Sequence, residues 1–162
     1  MKIASFSRLN SFCLLCLGGF VLILGSCSTN EVLEVRQFHL RTTEVESMKE
    51  AAMVRGEQMY LMRGAVSNQE RRERLGQYYT VNWENGGKYA EPLKIVMEYQ
   101  QAATGSEVLS MSKDLPVGEQ SGVVEFSVAG ESYRTRGRVL AWRVQMFSAG
   151  KVVAEKRSYL WK

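Results

Sequence analysis

The residue types that most often carry reactive chemistry are rare in this chain, which contains three cysteines and one histidine. Cys13 and Cys16 have the Cys-x-x-Cys spacing of a redox or metal pair, but they lie inside an apolar run that spans residues 12–25. As the only histidine, His39 lacks the partners that a zinc site or a nucleophile–base pair requires. We therefore interpret His39 as a partly exposed strand residue rather than a metal ligand or general base.

The segment before Cys27 has the three parts of a secretory signal peptide. Residues 1–11 carry Lys2 and Arg8 and no acidic residue, an apolar run of 14 residues follows, and small residues end the segment. A helix that crosses a bilayer needs about 20 apolar residues, so a permanent transmembrane helix is the weaker interpretation. We predict that residues 1–26 are removed, and the Cys-x-x-Cys pair with them.

The sequence Leu24-Gly25-Ser26-Cys27 resembles the lipobox of bacterial lipoproteins. The resemblance implies diacylglycerol on the Cys27 sulfur, cleavage before Cys27, and an acyl group such as palmitate on the new amino terminus. Two or three acyl chains hold a protein firmly on a membrane, whereas one chain holds it only marginally. Ser28, by resemblance to sorting in enterobacteria, favours the outer membrane facing the periplasm. Ordinary cleavage nearby, which leaves Cys27 as a free thiol, is the alternative.

The predicted mature chain is only weakly basic. The precursor has 21 basic and 17 acidic residues, and cleavage removes Lys2 and Arg8 but no acid, which leaves 19 and 17. A nucleic-acid-binding protein would have a stronger basic bias. Because lipidation would use the one remaining cysteine, we expect no disulfide, and stability must come from the core. No cofactor is expected.

Residues 31–41 are rich in β-branched and aromatic side chains and predict a strand. Two predicted helices follow, each beginning with a capping box: Thr43–Glu46 starts a helix over residues 44–63, and Ser67–Glu70 starts one over residues 68–75. Methionines recur at helical spacing on the first helix. This pattern predicts a face that covers the domain's own core; a flexible partner-binding face is the alternative.

Arginines supply the candidate interaction residues. Guanidinium groups pair well with phosphate and carboxylate groups on lipids, glycans or proteins. Runs of alternating charge also serve merely as solvated helix faces with i,i+3 and i,i+4 ion pairs, and this interpretation stays open. The candidates are Arg71, Arg72, Arg74, Arg134 and Arg136.

From residue 77 onward, alternating apolar residues separated by glycine turns predict a series of short strands. The last is predicted to be paired and buried because it is rich in aromatic residues. A tight hairpin turn is expected at Ser148–Lys151. The clearest apolar faces are Tyr79–Trp83, Leu93–Tyr99, Val124–Val128 and Leu140–Met146, and the last strand covers residues 152–161.

Gly137 marks an irregularity in this pattern. Counting back by twos from Leu140 would place three arginines on the apolar face of one strand. We predict a bulge or bend at Gly137 that resolves this conflict. Tyr133 and Thr135 would then lie on the core side, while Arg134, Arg136 and Arg143 face water.

Strands at this spacing predict a mainly β protein with an N-terminal helical segment. We expect a small antiparallel β-sandwich, immunoglobulin-like in size and rhythm but without the Cys…Trp…Cys pattern of antibody domains; an open β-barrel is the alternative. The predicted divisions are a signal peptide (1–26), a lipidated tether (27–30), a strand and two helices packing on the body (31–76), and the sandwich (77–162).

No catalytic motif is present in the sequence: it lacks Gly-x-Ser-x-Gly and a phosphate-binding glycine loop. The first hypothesis is a lipid-anchored, non-enzymatic envelope protein that binds another protein or supports an assembly. The second is a carbohydrate- or peptidoglycan-binding module that uses exposed aromatic residues, although most of these could equally be core. A carboxylate-based glycosidase or small-ligand carrier is a weaker third. The aromatic candidates are Trp83, Tyr133, Trp142, Tyr159 and Trp161.

Overall fold

The computed structural model of the protein describes residues 31–44, 51–89 and 92–162. The predicted signal peptide and Cys27 lie outside these residues. The described strands are β1 (Leu33–Leu40), β2 (Gly76–Glu84), β3 (Leu93–Gln101), β4 (Leu109–Asp114), β5 (Ser121–Ala129), β6 (Val139–Ser148) and β7 (Lys151–Arg157). The described helices are α1 (Ala52–Leu61), α2 (Asn68–Glu73) and α3 (Gly130–Arg136).

The strands form two antiparallel sheets whose inner faces share one core. One sheet has the order β1-β2-β5 and the other the order β4-β3-β6-β7. This is an immunoglobulin-like arrangement in which the fourth strand pairs with the third. The prediction of a small antiparallel β-sandwich is therefore confirmed, since the strands form two separate sheets.

The first strand belongs to the sandwich itself. β1 pairs with β2 from Leu33, opposite Trp83, to Leu40, opposite Gly76. The predicted division at residue 77 thus falls at the start of β2, in the same sheet as β1. Residues 41–75 are an insertion between these paired strands, and it carries α1 and α2.

The core lies between the two sheets and follows the predicted alternation. Successive side chains of a strand point to opposite faces, so every second residue of β2, β3 and β5 is buried. Facing pairs such as Met97 with Val144 and Ile95 with Met146 are fully buried. The largest contributors are Tyr79, Trp83, Leu93, Ile95, Met97, Tyr99, Phe126, Val144 and Met146.

The predicted apolar face of β6 holds only in part. Val144 and Met146 are fully buried, but 42% of Leu140 is exposed. The register between β3 and β6 shifts so that Gln100 pairs with Ala141 and Gln101 pairs with Val139, which leaves Leu140 in a bulge. The extra residue brings Val139 into the core in place of Leu140.

The predicted interruption at Gly137 is confirmed, but the residues before it form a helix rather than a bent strand. α3 covers Gly130–Arg136, and Gly137 ends it with a φ of +79°, a conformation that favours glycine. Glu131 in the first turn pairs with Arg134, and Thr135 donates to the Glu131 carbonyl at 2.7 Å. The predicted placement of Thr135 on the core side is wrong, because it is exposed.

The methionine-rich helix does not cover the core. α1 begins at Ala52 rather than at the predicted residue 44, and residues 45–50 lie outside the described residues. On the predicted face, Ala52 and Gly56 are exposed and Met59 is 63% exposed, whereas Gln58 is the buried residue of α1. The prediction of a core-covering face is therefore wrong, because helical spacing shows that residues share a face but not what that face contacts.

The second helix begins as predicted. The Ser67 hydroxyl accepts from the Glu70 N–H at 3.1 Å, and the Glu70 carboxylate accepts from the Ser67 N–H at 2.8 Å. This reciprocal pair is the capping box, and it needs only residues three apart in sequence. Local chemistry therefore determines where α2 starts.

The C-terminal segment is less buried than predicted. The hairpin at Ser148–Lys151 forms, with Ala149 and Gly150 both at positive φ. β7 then ends at Arg157, and Tyr159 is 99% exposed. The prediction of a buried strand through Trp161 is wrong, because the strand pairing ends four residues earlier and Leu160 is exposed as well.

Candidate interaction surface

The two ends of the sandwich carry different structures. At the end where β1 finishes and β2 begins lie α1, α2, α3 and residues 158–162, and we call it the helical end. The opposite end, where β1 starts at Leu33, carries the connections from β2 to β3, from β4 to β5 and from β6 to β7. We call it the tether end, because the chain enters the domain there.

Hydrogen bonds join the helices to the sheets at the helical end. The Gly130 N–H donates to the Leu75 carbonyl at 3.0 Å, which brings the end of α2 beside the start of α3. The Tyr78 hydroxyl donates to the Arg74 carbonyl at 2.5 Å. These contacts hold α2 and α3 side by side, although 56 residues of sequence lie between Glu73 and Gly130.

Two buried glutamines make the internal hydrogen bonds at this end: Gln101 joins β3 to α3, and Gln77 joins the two sheets. Gln101 is fully buried, and its Nε2 donates to the carbonyls of Gly137 at 2.8 Å and Ser132 at 3.2 Å. Its Oε1 accepts from the Ser132 hydroxyl at 3.3 Å. The side-chain amide of Gln77 in β2 donates to the Val139 carbonyl and accepts from the Val139 N–H. Val139 belongs to β6 on the other sheet. A buried amide is tolerated only when it is bonded in this way, so α3 has a defined position.

All five arginines predicted to form a surface lie at the helical end, and all are exposed. Arg134 pairs with Glu131. Arg71 and Arg74 each donate to a backbone carbonyl, of Ala65 and Leu61 respectively. Within residues 31–44, 51–89 and 92–162, none of the following arginines at this end has a carboxylate oxygen within 4 Å: Arg41, Arg63, Arg71, Arg72, Arg74, Arg136, Arg138 and Arg157.

His39 connects β1 to α3. Its Nε2 lies 2.7 Å from the Tyr133 hydroxyl, and its Nδ1 accepts from the Arg41 Nε at 3.1 Å. Because Nδ1 accepts, the proton of the neutral ring lies on Nε2 and donates to Tyr133. Partial burial lowers the pKa of His39 below its usual value of 6.5, and the positive charges of Arg41 and Arg138 lower it further. His39 is therefore a neutral link between two elements.

We expect the free energy of unfolding to fall as the pH is lowered from about 7.5 to about 5.5. The unfolded chain takes up a proton on His39 near its ordinary pKa, whereas the folded protein does so only at lower pH, so acid favours the unfolded state. Urea unfolding of the wild type and of His39→Asn at both pH values tests this. The variant should lose less stability on acidification; an equal loss in both proteins would contradict the assignment.

The predicted aromatic residues do not form one binding face. Trp83 is buried in the core at 3% exposure. Trp142 packs edge-on against Tyr79, with ring centroids 5.9 Å apart, and its Nε1 donates to Gln37 at 3.2 Å. Trp161 lies against the Arg143 guanidinium at 5.1 Å, while the side chain of Tyr159 is almost fully exposed.

A groove of about 530 Å³ runs between α1 and the edge of the three-stranded sheet. Its walls come from residues on both faces of β2 and β5, from the C-terminal part of α1, and from Lys113 of β4. No sequence pattern indicated this groove, because it depends on how far α1 stands from the sheet. Its side walls include Tyr60, Arg63, Arg74, Tyr78, Lys113, Glu125 and Ser127.

The described ranges contain neither a group of metal-type ligands nor a membrane-spanning helix. Histidine, cysteine, aspartate and glutamate do not gather there in groups of three or more suited to a metal ion. Nor is any described helix long and apolar enough to cross a bilayer. Comparison with protein-family models, curated proteins and solved structures gave no match.

Proposed function

We propose that this protein is a lipid-anchored component of the bacterial cell envelope whose sandwich domain is a non-enzymatic interaction module. Its anchor would be Cys27, acylated and held on the outer membrane facing the periplasm. Its binding surface would be the helical end. The observation that carries this proposal is the set of eight exposed arginines named above at that end, which, unlike Arg134, have no carboxylate oxygen within 4 Å in the described part of the chain.

Chain length supports a defined orientation. Leu33 follows Cys27 by six positions, which allows a reach of at most about 20 Å. β1 then runs for eight residues away from the tether end, a distance of about 26 Å at the usual rise of a strand. A short tether and a strand of this length would hold the tether end near the membrane and present the helical end to the periplasm.

The surface suits a protein with an acidic face. Guanidinium groups bind carboxylates through paired hydrogen bonds, and arginine and methionine are enriched at protein interfaces. The arginines of α2 and α3 lie at the same end as Met53 and Met59 of α1, both more than half exposed. A protein partner could contact the exposed methionines with apolar side chains and the arginines with carboxylates. Complementary charges of this kind orient two proteins as they associate.

Glycan binding has less support. None of the aromatic residues predicted to bind a sugar lines the groove between α1 and the three-stranded sheet, whose aromatic lining is Tyr60, Tyr78, Tyr79 and Phe126. Trp83 and Trp142 are engaged within the domain. A glycosidase would need two carboxyl groups that face each other across a cleft. Glu98 and Glu155 both lie on the four-stranded sheet, but each carboxylate is within 4 Å of the Arg143 guanidinium.

Charge reversal at the helical end tests the proposal. We expect Arg72→Glu with Arg136→Glu to lower the recovery of protein cross-linked to the full-length lipoprotein in intact envelopes by about tenfold, because it replaces attraction to an acidic face with repulsion. The matched control is Lys88→Glu with Lys151→Glu, which changes the same charge at exposed positions of the tether end.

Three outcomes are informative in this experiment. Loss confined to the arginine variant supports the helical end as the binding surface. Equal recovery from both variants, or an equal loss, would contradict it.

The anchor has its own test. The Cys27→Ala protein should leave the membrane fraction while its domain stays folded. A Cys27→Ala protein that remained in the membrane would contradict the anchor.

A further inference from the structure

The two sheets have four edge strands among the described residues, and three of them are protected against pairing with another strand. β1 carries the charged residues Glu34 and Arg36, and the Trp142 indole N–H donates a hydrogen bond to the Gln37 side chain of this strand. β4 is only six residues long and ends in Lys113 and Asp114. β7 has four charged residues in seven, and its register with β6 is interrupted. Charge, shortness and bulges are the usual means of blocking an edge.

The fourth edge, β5, has none of these protections. It is nine residues long, pairs with β2 in unbroken register, and contains neither proline nor bulge. Its only charged residue is Glu125. The outward-facing Val123 is 60% exposed, and Ser127 is exposed as well. In the described ranges β2 is its only strand neighbour, so the other edge of β5 presents unpaired backbone groups.

The groove described above opens along this same edge. Glu125, Phe126 and Ser127 of β5 all line it. On the inner side, the Lys113 ammonium lies 5.9 Å from the centre of the Phe126 ring. Lys113 is exposed, and in the described part of the chain it has no carboxylate within 4 Å. A positive charge therefore stands where the side chain of an added strand would project.

We propose that β5 accepts an extended acidic segment of a protein partner as an additional strand of the three-stranded sheet. Backbone hydrogen bonds to β5 supply the affinity, and a carboxylate that contacts Lys113 supplies the specificity, as in other cases of strand addition. The inference deepens the proposed function, because it rests on the partner being a protein and names the segment that such a partner inserts.

The two faces of β5 determine the sequence pattern of the added strand. The residue opposite Phe126 points inward and meets Lys113, so an acidic side chain fits there. The residue opposite Glu125 points outward beside that carboxylate, so an uncharged or basic side chain fits there. A second copy of β5 paired antiparallel about its central residue would place Glu125 opposite Glu125, a like-charge pair that is unfavourable.

Synthetic peptides test the site directly. The probes are three nine-residue peptides of alternating threonine and valine with glutamate, lysine or alanine at the centre, added to the folded protein and followed by fluorescence anisotropy and amide hydrogen exchange. We expect the glutamate peptide to bind about tenfold more tightly than the lysine peptide and to slow exchange in β5. N-methylation of every second amide of the glutamate peptide should abolish binding, because it removes the donors of the added strand.

Edge variants locate the contact on β5. Val123→Lys with Ser127→Lys should weaken binding of the glutamate peptide at least about tenfold, since lysines on an edge oppose strand addition. The matched control, Ser110→Lys with Ser112→Lys, adds the same charge at exposed positions on the β4 edge and should bind as the wild type does. Circular dichroism verifies that both variants are folded.

The proposal is overturned if no peptide protects β5, if the lysine peptide binds as tightly as the glutamate peptide, or if both edge variants lose binding equally. Such a result would not contradict the proposed function if the Arg72→Glu, Arg136→Glu variant still loses its cross-linked partner in envelopes. Conversely, peptide binding to β5 together with unchanged partner recovery in the arginine variant would reject the helical end and retain the edge.

Discussion

Replacing Gln101 with leucine is expected to lower the free energy of unfolding by about 2–4 kcal/mol. The side chain is fully buried and bonds the carbonyls of Ser132 and Gly137 and the Ser132 hydroxyl. Leucine has a similar volume but no polar atoms, so it leaves these groups buried without partners, and each costs about 1–3 kcal/mol. Urea unfolding followed by tryptophan fluorescence measures the loss.

The neighbouring glutamine is the matched control. Gln100 lies on the opposite face of β3, is partly exposed, and makes only a 3.5 Å contact with the Ser106 carbonyl. Gln100→Leu should change stability by no more than about 0.5 kcal/mol, as most surface substitutions do. If the two variants lost equal stability, the network around Gln101 would not be what holds α3 in place.

The second large effect is expected at Gly76, where alanine should cost about 3 kcal/mol or more. Gly76 pairs directly with Ala129 of β5, and an added Cβ would lie 2.5 Å from the Ala129 Cα and 2.7 Å from its Cβ. These neighbours include backbone atoms, which cannot rotate away, so β2 and β5 would have to separate at the helical end. Thermal or urea unfolding of the variant measures this cost.

Gly56 offers the opposite result from the same substitution. It lies in the interior of α1, is exposed, and has no atom within 4 Å of an added Cβ. Gly56→Ala should raise stability by about 0.5–1 kcal/mol, because alanine loses less conformational freedom in a helix. A destabilised Gly56→Ala protein, or a Gly76→Ala protein as stable as the wild type, would contradict the packing described for these positions.

Gln101 and Gly76 are both in the scaffold that positions the helical end. Gln101 fixes α3 against β3, and Gly76 allows β2 and β5 to approach where α2 meets α3. The Gly130 N–H bond to Leu75 lies at the same junction. Loosening either contact is therefore expected to disturb the arginines of α2 and α3 without altering any of them.

The sequence by itself determined the features that depend on neighbouring residues. Alternation with a period of two predicted the inner faces of β2, β3 and β5, because the pleat of a strand sends successive side chains to opposite sides. The capping box at Ser67 and the hairpin at Ser148–Lys151 are formed by residues two or three apart. The signal peptide and the lipobox at Cys27 are likewise contiguous, and they stay predictions here.

Only the tertiary structure decided the features that depend on distant residues. Leu140 lies in a bulge because of its register with β3, and β1 joins the sandwich because β2 pairs with it across an insertion of 35 residues, 41–75. The exposure of the α1 methionines and of the β5 edge depends equally on what packs nearby. Apolar periodicity shows which residues share a face, but the folded chain determines which faces contact each other and which remain open to a partner.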